Sequence, residues 1–272
     1  MRSVPQTLVT FHAHPDDECI STGGTMAKAA TEGHRVVLVL ATGGEVGEVG
    51  DGVLAPGETL AERRATETAR AAELLSVARV VHLGYRDSGM EGTPDNEHPE
   101  SFWAADVEEA AERLAVVLRE EEADALTIYD DHGGYGHPDH IQVHRVGVRA
   151  AALAGTPRVY EATMNRDQIA RFIRERRVEA DQAGVELPDG VNDPDAITMG
   201  TPEALLTTAV DVSGVVDRKR EALGAHASQV DETHFFLAMP VELFREAFGT
   251  EFYVRRGAPA GITETSLFPT DR

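Results

Sequence analysis

The sequence predicts an α/β protein built on a Rossmann-like, doubly wound, mostly parallel sheet with helices on both faces. Three observations predict it. Short apolar runs alternate with longer helix-forming stretches through the first 165 residues. The strand candidates are continuous in Val, Ile and Leu, as strands covered on both faces are. Loops rich in Gly, His and Asp follow the strands, where open α/β sheets place their ligands. In order, residues 8–12 read as the first strand and 25–31 as the body of a helix ending near Gly33. Residues 35–41 make a second strand, fully buried because Val36-Val37-Leu38-Val39-Leu40-Ala41 leaves no polar face. A Gly/Glu-rich loop spans 42–57. Residues 60–75 hold helix formers (Ala, Glu, Arg, Leu) almost throughout, with no breaker. A strand at 79–83, a helix at 105–121 and a strand at 125–129 follow. Pro138 opens a helix over 138–154, where its missing N–H costs nothing. Beyond Arg158 the pattern weakens: 158–163 and 209–212 suit strands, 215–226 a helix, and 184–201 a long loop of Gly, Pro, Asn and Asp.

Composition narrows the function. With 25 Lys+Arg against 47 Asp+Glu, the 272-residue chain carries a formal net charge of −22. That charge argues against a non-specific grip on nucleic acid or anionic membrane, both of which need a cationic surface. The single cysteine, Cys19, excludes an intrachain disulfide framework and a Cys-rich zinc site. The longest wholly apolar run, 36–41, is far short of the ~20 residues of a membrane span. The first residues run straight into a strand without the apolar stretch of a secretory signal, so the expected compartment is cytoplasmic. A homo-oligomer is compatible with the sequence.

Six of the eleven histidines fall in two windows. The window Phe11-His12-Ala13-His14-Pro15-Asp16-Asp17-Glu18 follows the first strand; the second, which opens Tyr129-Asp130-Asp131-His132-Gly133-Gly134-Tyr135-Gly136-His137-Pro138-Asp139-His140 and extends to His144, follows the fourth. Two such loops can face each other across the crevice at the topological switch point. Imidazole and carboxylate are what zinc takes where thiolate is absent, and a catalytic site keeps one position open for water beside three protein ligands. His14 and Asp17 at i, i+3 with His140 make such a set. Asp16 is then a spare carboxylate able to deprotonate the bound water. Fe²⁺ or Co²⁺ would accept the same ligands.

The motifs Ala13-His14-Pro15-Asp16-Asp17-Glu18 and His137-Pro138-Asp139-His140 resemble the paired signatures of the LmbE-like (PIG-L) zinc N-deacetylases. Thr42-Gly43-Gly44-Glu45, Arg64-Ala65-Thr66-Glu67, Leu83-Gly84-Tyr85-Arg86-Asp87-Ser88-Gly89-Met90 and Ala225-His226-Ala227-Ser228-Gln229 extend the resemblance over most of the chain, toward the mycothiol branch. The resemblance implies one zinc per chain held by His14, Asp17 and His140, with Asp16 as general base and His137 stabilising the charged intermediate. Tyr135 matches a tyrosine that helps polarise the substrate carbonyl, and Asp139 fits a carboxylate orienting an active-site imidazole. Arg64, Arg86 and Asp87 match positions that hold sugar or inositol hydroxyls. It further implies one LmbE-like domain over 1–272, with a metal-binding core at 1–165 and an extension at 166–272 that completes the substrate pocket.

The expected partner is therefore a small-molecule amino sugar, and the expected reaction is removal of its N-acetyl group by metal-activated water. A mycothiol S-conjugate amidase and a natural-product N-deacetylase are the alternatives within the same chemistry. A non-catalytic sugar-binding module has no need of a base beside the metal. His226 could reach the site as a substrate contact. His12 suits a buried strand position, His144 either the site or the core, and Cys19 a buried small residue.

Overall fold

The computed structural model describes residues 4–50, 52–183, 197–231 and 233–268. In chain order they form β1 (Thr7–His12), α1 (Asp17–Ser21), α2 (Gly23–Thr31), β2 (Arg35–Thr42), α3 (Leu60–Leu75), β3 (Arg79–Tyr85), α4 (Val107–Glu120), β4 (Ala125–Tyr129), α5 (Gly133–Gly136), α6 (Pro138–Ala154), β5 (Arg158–Thr163), α7 (Arg166–Ala183), β6 (Thr208–Asp211), α8 (Val216–Gly224), α9 (Phe235–Ala238), α10 (Val241–Phe248) and β7 (Thr250–Arg255). The seven strands make one sheet in the order β3-β2-β1-β4-β5-β7-β6. The β1, β2, β3, β4 and β5 pairings are parallel; β7 runs antiparallel to both β5 and β6. The doubly wound architecture expected from the sequence is present.

The side-chain alternation of the strands divides the core. Val9, Phe11, Val37, Val39, Leu126 and Ile128 face α4 and α6, meeting Leu114, Leu118, Val143 and Val146. Leu8, Val36, Leu38 and Leu40 face the other way, onto Met26 of α2, Leu75 of α3 and Leu223 of α8. Helix ends follow local chemistry. Thr59 caps α3 in a box with Glu62, Asp106 caps α4 through Glu109 N–H, and Gly155 closes α6 at φ 73°.

Several elements depart from the sequence reading. The antiparallel β7 and the helices α7, α9 and α10 carried no clear signal, and the helix expected at 215–226 ends at Gly224. Most of the expected 184–201 loop lies outside the described residues. The later segment is tied to the core by a buried ion pair: Lys219 Nζ lies 2.7 Å from Glu251 Oε1, and the Glu251 carboxylate also accepts the Gly24 and Thr25 N–H groups at 2.8 Å each.

Candidate active site

The two histidine windows meet. The strand order reverses between β1 and β4, which are neighbours, and the loop after β1 and the start of α6 both lie over the carboxyl ends of these strands.

The first window is shaped by one unusual residue. Asp16 sits at φ 93°, a region that non-glycine residues avoid at a cost on the order of 1–3 kcal/mol. The turn separates two consecutive carboxylates. Asp17 Oδ2 accepts the His14 backbone N–H at 2.9 Å and lies 3.2 Å from both His14 Nδ1 and His140 Nε2. Asp16 turns instead to Arg64, with Oδ2 3.1 Å from Nη2.

The second window needs glycine. Gly133, Gly134 and Gly136 all have positive φ, and a Cβ on Gly133 would lie 2.7 Å from the Cβ of His140. His137 caps α6, with Nδ1 accepting the Asp139 N–H at 3.1 Å. That bond places the ring proton of the neutral tautomer on Nε2. Asp139 is fully buried; its carboxylate accepts from His14 Nε2 at 3.1 Å, from the Ser88 N–H at 3.0 Å and from the Ser88 hydroxyl. Asp87 Oδ1 lies 3.5 Å from the same His14 nitrogen and accepts the Gly89 N–H at 2.8 Å.

These environments pull the titrations apart. Burial raises Asp16 to about 7; Asp17 adds to this, and Arg64 opposes it. Burial would also raise Asp17, but His140 and His14 outweigh it and hold that carboxylate well below its ordinary value. Burial, then His14 and His140, lowers His137 to about 4, so its ring is neutral near pH 7. Burial would lower His14, but its hydrogen bonds to Asp139, Asp17 and Asp87 raise it. Two neighbouring aspartates with opposite shifts suit two different tasks.

The donor set fits a divalent cation. Ligand atoms of His14, His137 and His140 cluster within 4.8 Å of one another, as do those of His14, Asp87 and Asp139. His140 Nε2 is buried, 3.2 Å from Asp17 Oδ2, yet has no hydrogen-bond partner. Ligands about 2.1 Å from a tetrahedral zinc are separated by roughly 3.4 Å, close to the spacing of Asp17 from both imidazoles.

Of the remaining expected residues, Tyr135 stands 58% exposed at the mouth, its ring 5.0 Å from that of His140. Arg64 is 3% exposed and donates to the carbonyls of Pro15 and, at 2.8 Å, of Gly44. Arg86 pairs with Asp95 at 2.7 Å and lines a cleft of about 590 Å³ with Tyr85, Glu109 and Arg113. His226 is a correction: it is 0% exposed, packed beneath α1 with Nε2 2.7 Å from Glu18 Oε1, and so does not face a substrate. Cys19 is fully buried; His12 hydrogen-bonds Tyr129 and Thr22, and His144 the Tyr129 carbonyl. The sequence reading missed Glu18, Ser88 and Gln229 as supports. All three lie inside the recognised motifs, but their partners are distant in sequence.

A doubly wound sheet that gathers imidazoles and carboxylates over the β1/β4 switch point is here the frame of an enzyme that hydrolyses amides, as its family and relatives show. The chain belongs to the PIG-L family, described as GlcNAc-PI de-N-acetylase, whose profile matches residues 9–151. It is 42% identical to the 1D-myo-inositol 2-acetamido-2-deoxy-alpha-D-glucopyranoside deacetylase of Thermobifida fusca, over 96% of this chain and 98% of that one. Among solved structures, it resembles N,N'-diacetylchitobiose deacetylase from Pyrococcus horikoshii (TM-score 0.59, 22% identity, 92% of this chain and 83% of that one). It also resembles the 4-carboxy-2-hydroxymuconate hydratase GalB from Pseudomonas putida KT2440 (TM-score 0.58, 20% identity, 93% and 97%). A hydratase on this fold underlines that the activity resides in the site and not in the sheet. Among the described residues no helix is long and apolar enough to cross a membrane.

Proposed function

We propose that this protein removes the acetyl group from an N-acetylglucosaminyl-inositol substrate, using one zinc ion per chain held by His14, Asp17 and His140. The observation that carries the reading is the division of Asp16 from Asp17. One carboxylate sits between two imidazoles at 3.2 Å each, and the other is turned aside beside Arg64. The likeness to inositol-glucosaminide deacetylases along nearly the whole chain supports the choice of substrate.

A metal held by His14, Asp17 and His140 would lower the pKa of a water there from 15.7 to about 7 and would supply a Lewis acid for the acyl oxygen. Asp16, raised toward neutrality by its burial, takes the proton of the attacking water. His137 donates from Nε2 to the developing oxyanion, because its Nδ1 is occupied by the Asp139 N–H. Tyr135, exposed at the mouth, is a second donor. Asp139 orients His14, and is itself fixed by Ser88. The leaving amine takes its proton from Asp16, which has just received one from the water; the neutral His137 ring carries only the Nε2 proton that it offers to the oxyanion. The segment 166–272 completes the site, which the reach of Gln229 Oε1 to 3.5 Å from Arg64 Nη1 supports.

Primary-amine release on metal-assayed protein tests the proposal, with N-acetylglucosaminyl-inositol, free N-acetylglucosamine and a mycothiol S-conjugate compared. Preference for the first is the expected result; preference for the conjugate would make the chain an amidase.

A further inference from the structure

The general base is supported from beneath by a dry pair that the mechanism above does not use. Glu18 and His226 are both 0% exposed. Glu18 Oε1 accepts from His226 Nε2 at 2.7 Å and from Cys19 Sγ at 3.2 Å, and its Oε2 accepts the Asp16 backbone N–H at 2.9 Å. His226 is rigidly placed: its N–H donates to the Leu223 carbonyl, and its own carbonyl accepts from Gln229 and Val230 N–H at 2.9 and 2.8 Å. From the opposite side Arg64 holds the Pro15 carbonyl and the Asp16 carboxylate.

We infer that Glu18 and His226 are positioning residues that pin the amide of Asp16 in its positive-φ turn and so hold the Asp16 carboxylate apart from Asp17. A strained backbone persists only where its surroundings over-determine it. Asp16 is held at its N–H, at the carbonyl before it and at its side chain. Burying an ionisable pair brings little stability in itself, so geometry is the better account of why a carboxylate and an imidazole occupy this dry position. His226, brought in by the turn after α8, thereby makes the later segment part of the catalytic architecture without touching substrate.

The inference rests on the de-N-acetylase reading for its effect on turnover, and its first readout is independent of turnover. In His226→Leu, hydrogen exchange of the Asp16 amide, followed in metal-free protein, is expected to accelerate at least tenfold or so. In metal-loaded protein kcat should fall roughly 10- to 100-fold with KM and metal content unchanged. His226→Gln, which keeps a donor near the Nε2 position, should restore both to within about threefold of wild type. Wild-type exchange at Asp16 in His226→Leu, metal lost in step with activity, or His226→Gln no better than His226→Leu would each overturn the inference. If the leucine variant does not fold, His226→Asn, whose shorter amide stops short of Glu18, takes its place with the same expected losses. A wild-type protein releasing no amine from any acetamido sugar would overturn the de-N-acetylase reading alone, and the exchange measurement would still decide this one.

Discussion

Replacing Arg64 by alanine is expected to lower stability and turnover together, and to lower turnover alike on every acetamide substrate. The side chain is 4% exposed and joins three pieces of chain: it donates to Gly44 O at 2.8 Å, to Pro15 O, and to Asp16 Oδ2 at 3.1 Å. Truncation strands two buried carbonyls and one half-buried carboxylate. At about 1–3 kcal/mol for each stranded group, with water entering the vacated space, the loss is about 3–5 kcal/mol, as for other broken buried pairs. In a chain of this length each kcal/mol moves Tm by about 2–4 °C, so a fall near 10 °C is expected. Arg64→Lys keeps the charge without the planar fork and should lie between. Thermal unfolding of metal-loaded protein reads the first effect. Amine release from N-acetylglucosaminyl-inositol and from free N-acetylglucosamine reads the second. A Tm within about 3 °C of wild type, or a loss confined to the inositol substrate, would refute this account; the second result would show Arg64 reading sugar hydroxyls, as the family resemblance implies.

Three further outcomes are expected. His140→Ala should lose its metal by elemental analysis and with it the stabilisation that metal gives, about 4 kcal/mol at a thousandfold excess over Kd, whereas Asp16→Asn should keep the metal and lose roughly 10²–10⁴ in kcat. In His137→Ala, kcat should fall by roughly 10²–10³ with KM little changed, since the Nε2 donor acts mainly on the developing oxyanion; a purely KM effect would assign His137 to substrate binding. Glu121, paired with Arg35 at 2.6 Å and Arg79 at 2.8 Å, is held below its ordinary value of 4.5 first by the Arg35 hydrogen bond. Its folded-state value is depressed, so its contribution is present above pH 4.5 and lost as pH falls through the folded value. Glu121→Gln should therefore be less stable than wild type at pH 7 in urea titrations, with the difference narrowing as pH falls below 4.5.

The core strands were legible because burial on both faces leaves an uninterrupted apolar run, and α3, α6 and β4 carry their boundaries in local residues: Thr59 with Glu62, Pro138, and the polar Asp130 after Tyr129. The strand β7 was not legible for the converse reason. Glu251 stands in its interior and reads as a surface charge, yet it is 4% exposed because Lys219, Gly24 and Thr25 satisfy it from other elements. The same distinction runs through the site. Residues that hold the metal on the proposed reading, His14, Asp17 and His140, stood out by type and spacing. Ser88, which fixes Asp139, and His226, which fixes Glu18, act through partners 51 and 208 residues away, and no local pattern encodes which later loop packs beneath which earlier turn.

The doubled aspartate of the first motif raises a physical question that the turn at Asp16 answers. Two adjacent carboxylates in ordinary helical or extended backbone would either share one environment, where like charges disfavour ionising both, or be separated by the full alternation of a strand. A positive φ at Asp16 immediately before the first turn of α1 does neither. It lets Asp17 point down among the imidazoles and fall below its ordinary pKa, while Asp16, a residue away, lies against Arg64 and rises toward neutrality. The strain of that turn is sustained by the Glu18 carboxylate on one side and the Arg64 guanidinium on the other. On the proposed reading, one backbone torsion thus separates the residue that holds the metal from the residue that moves the proton, and the buried groups around it keep that torsion in place.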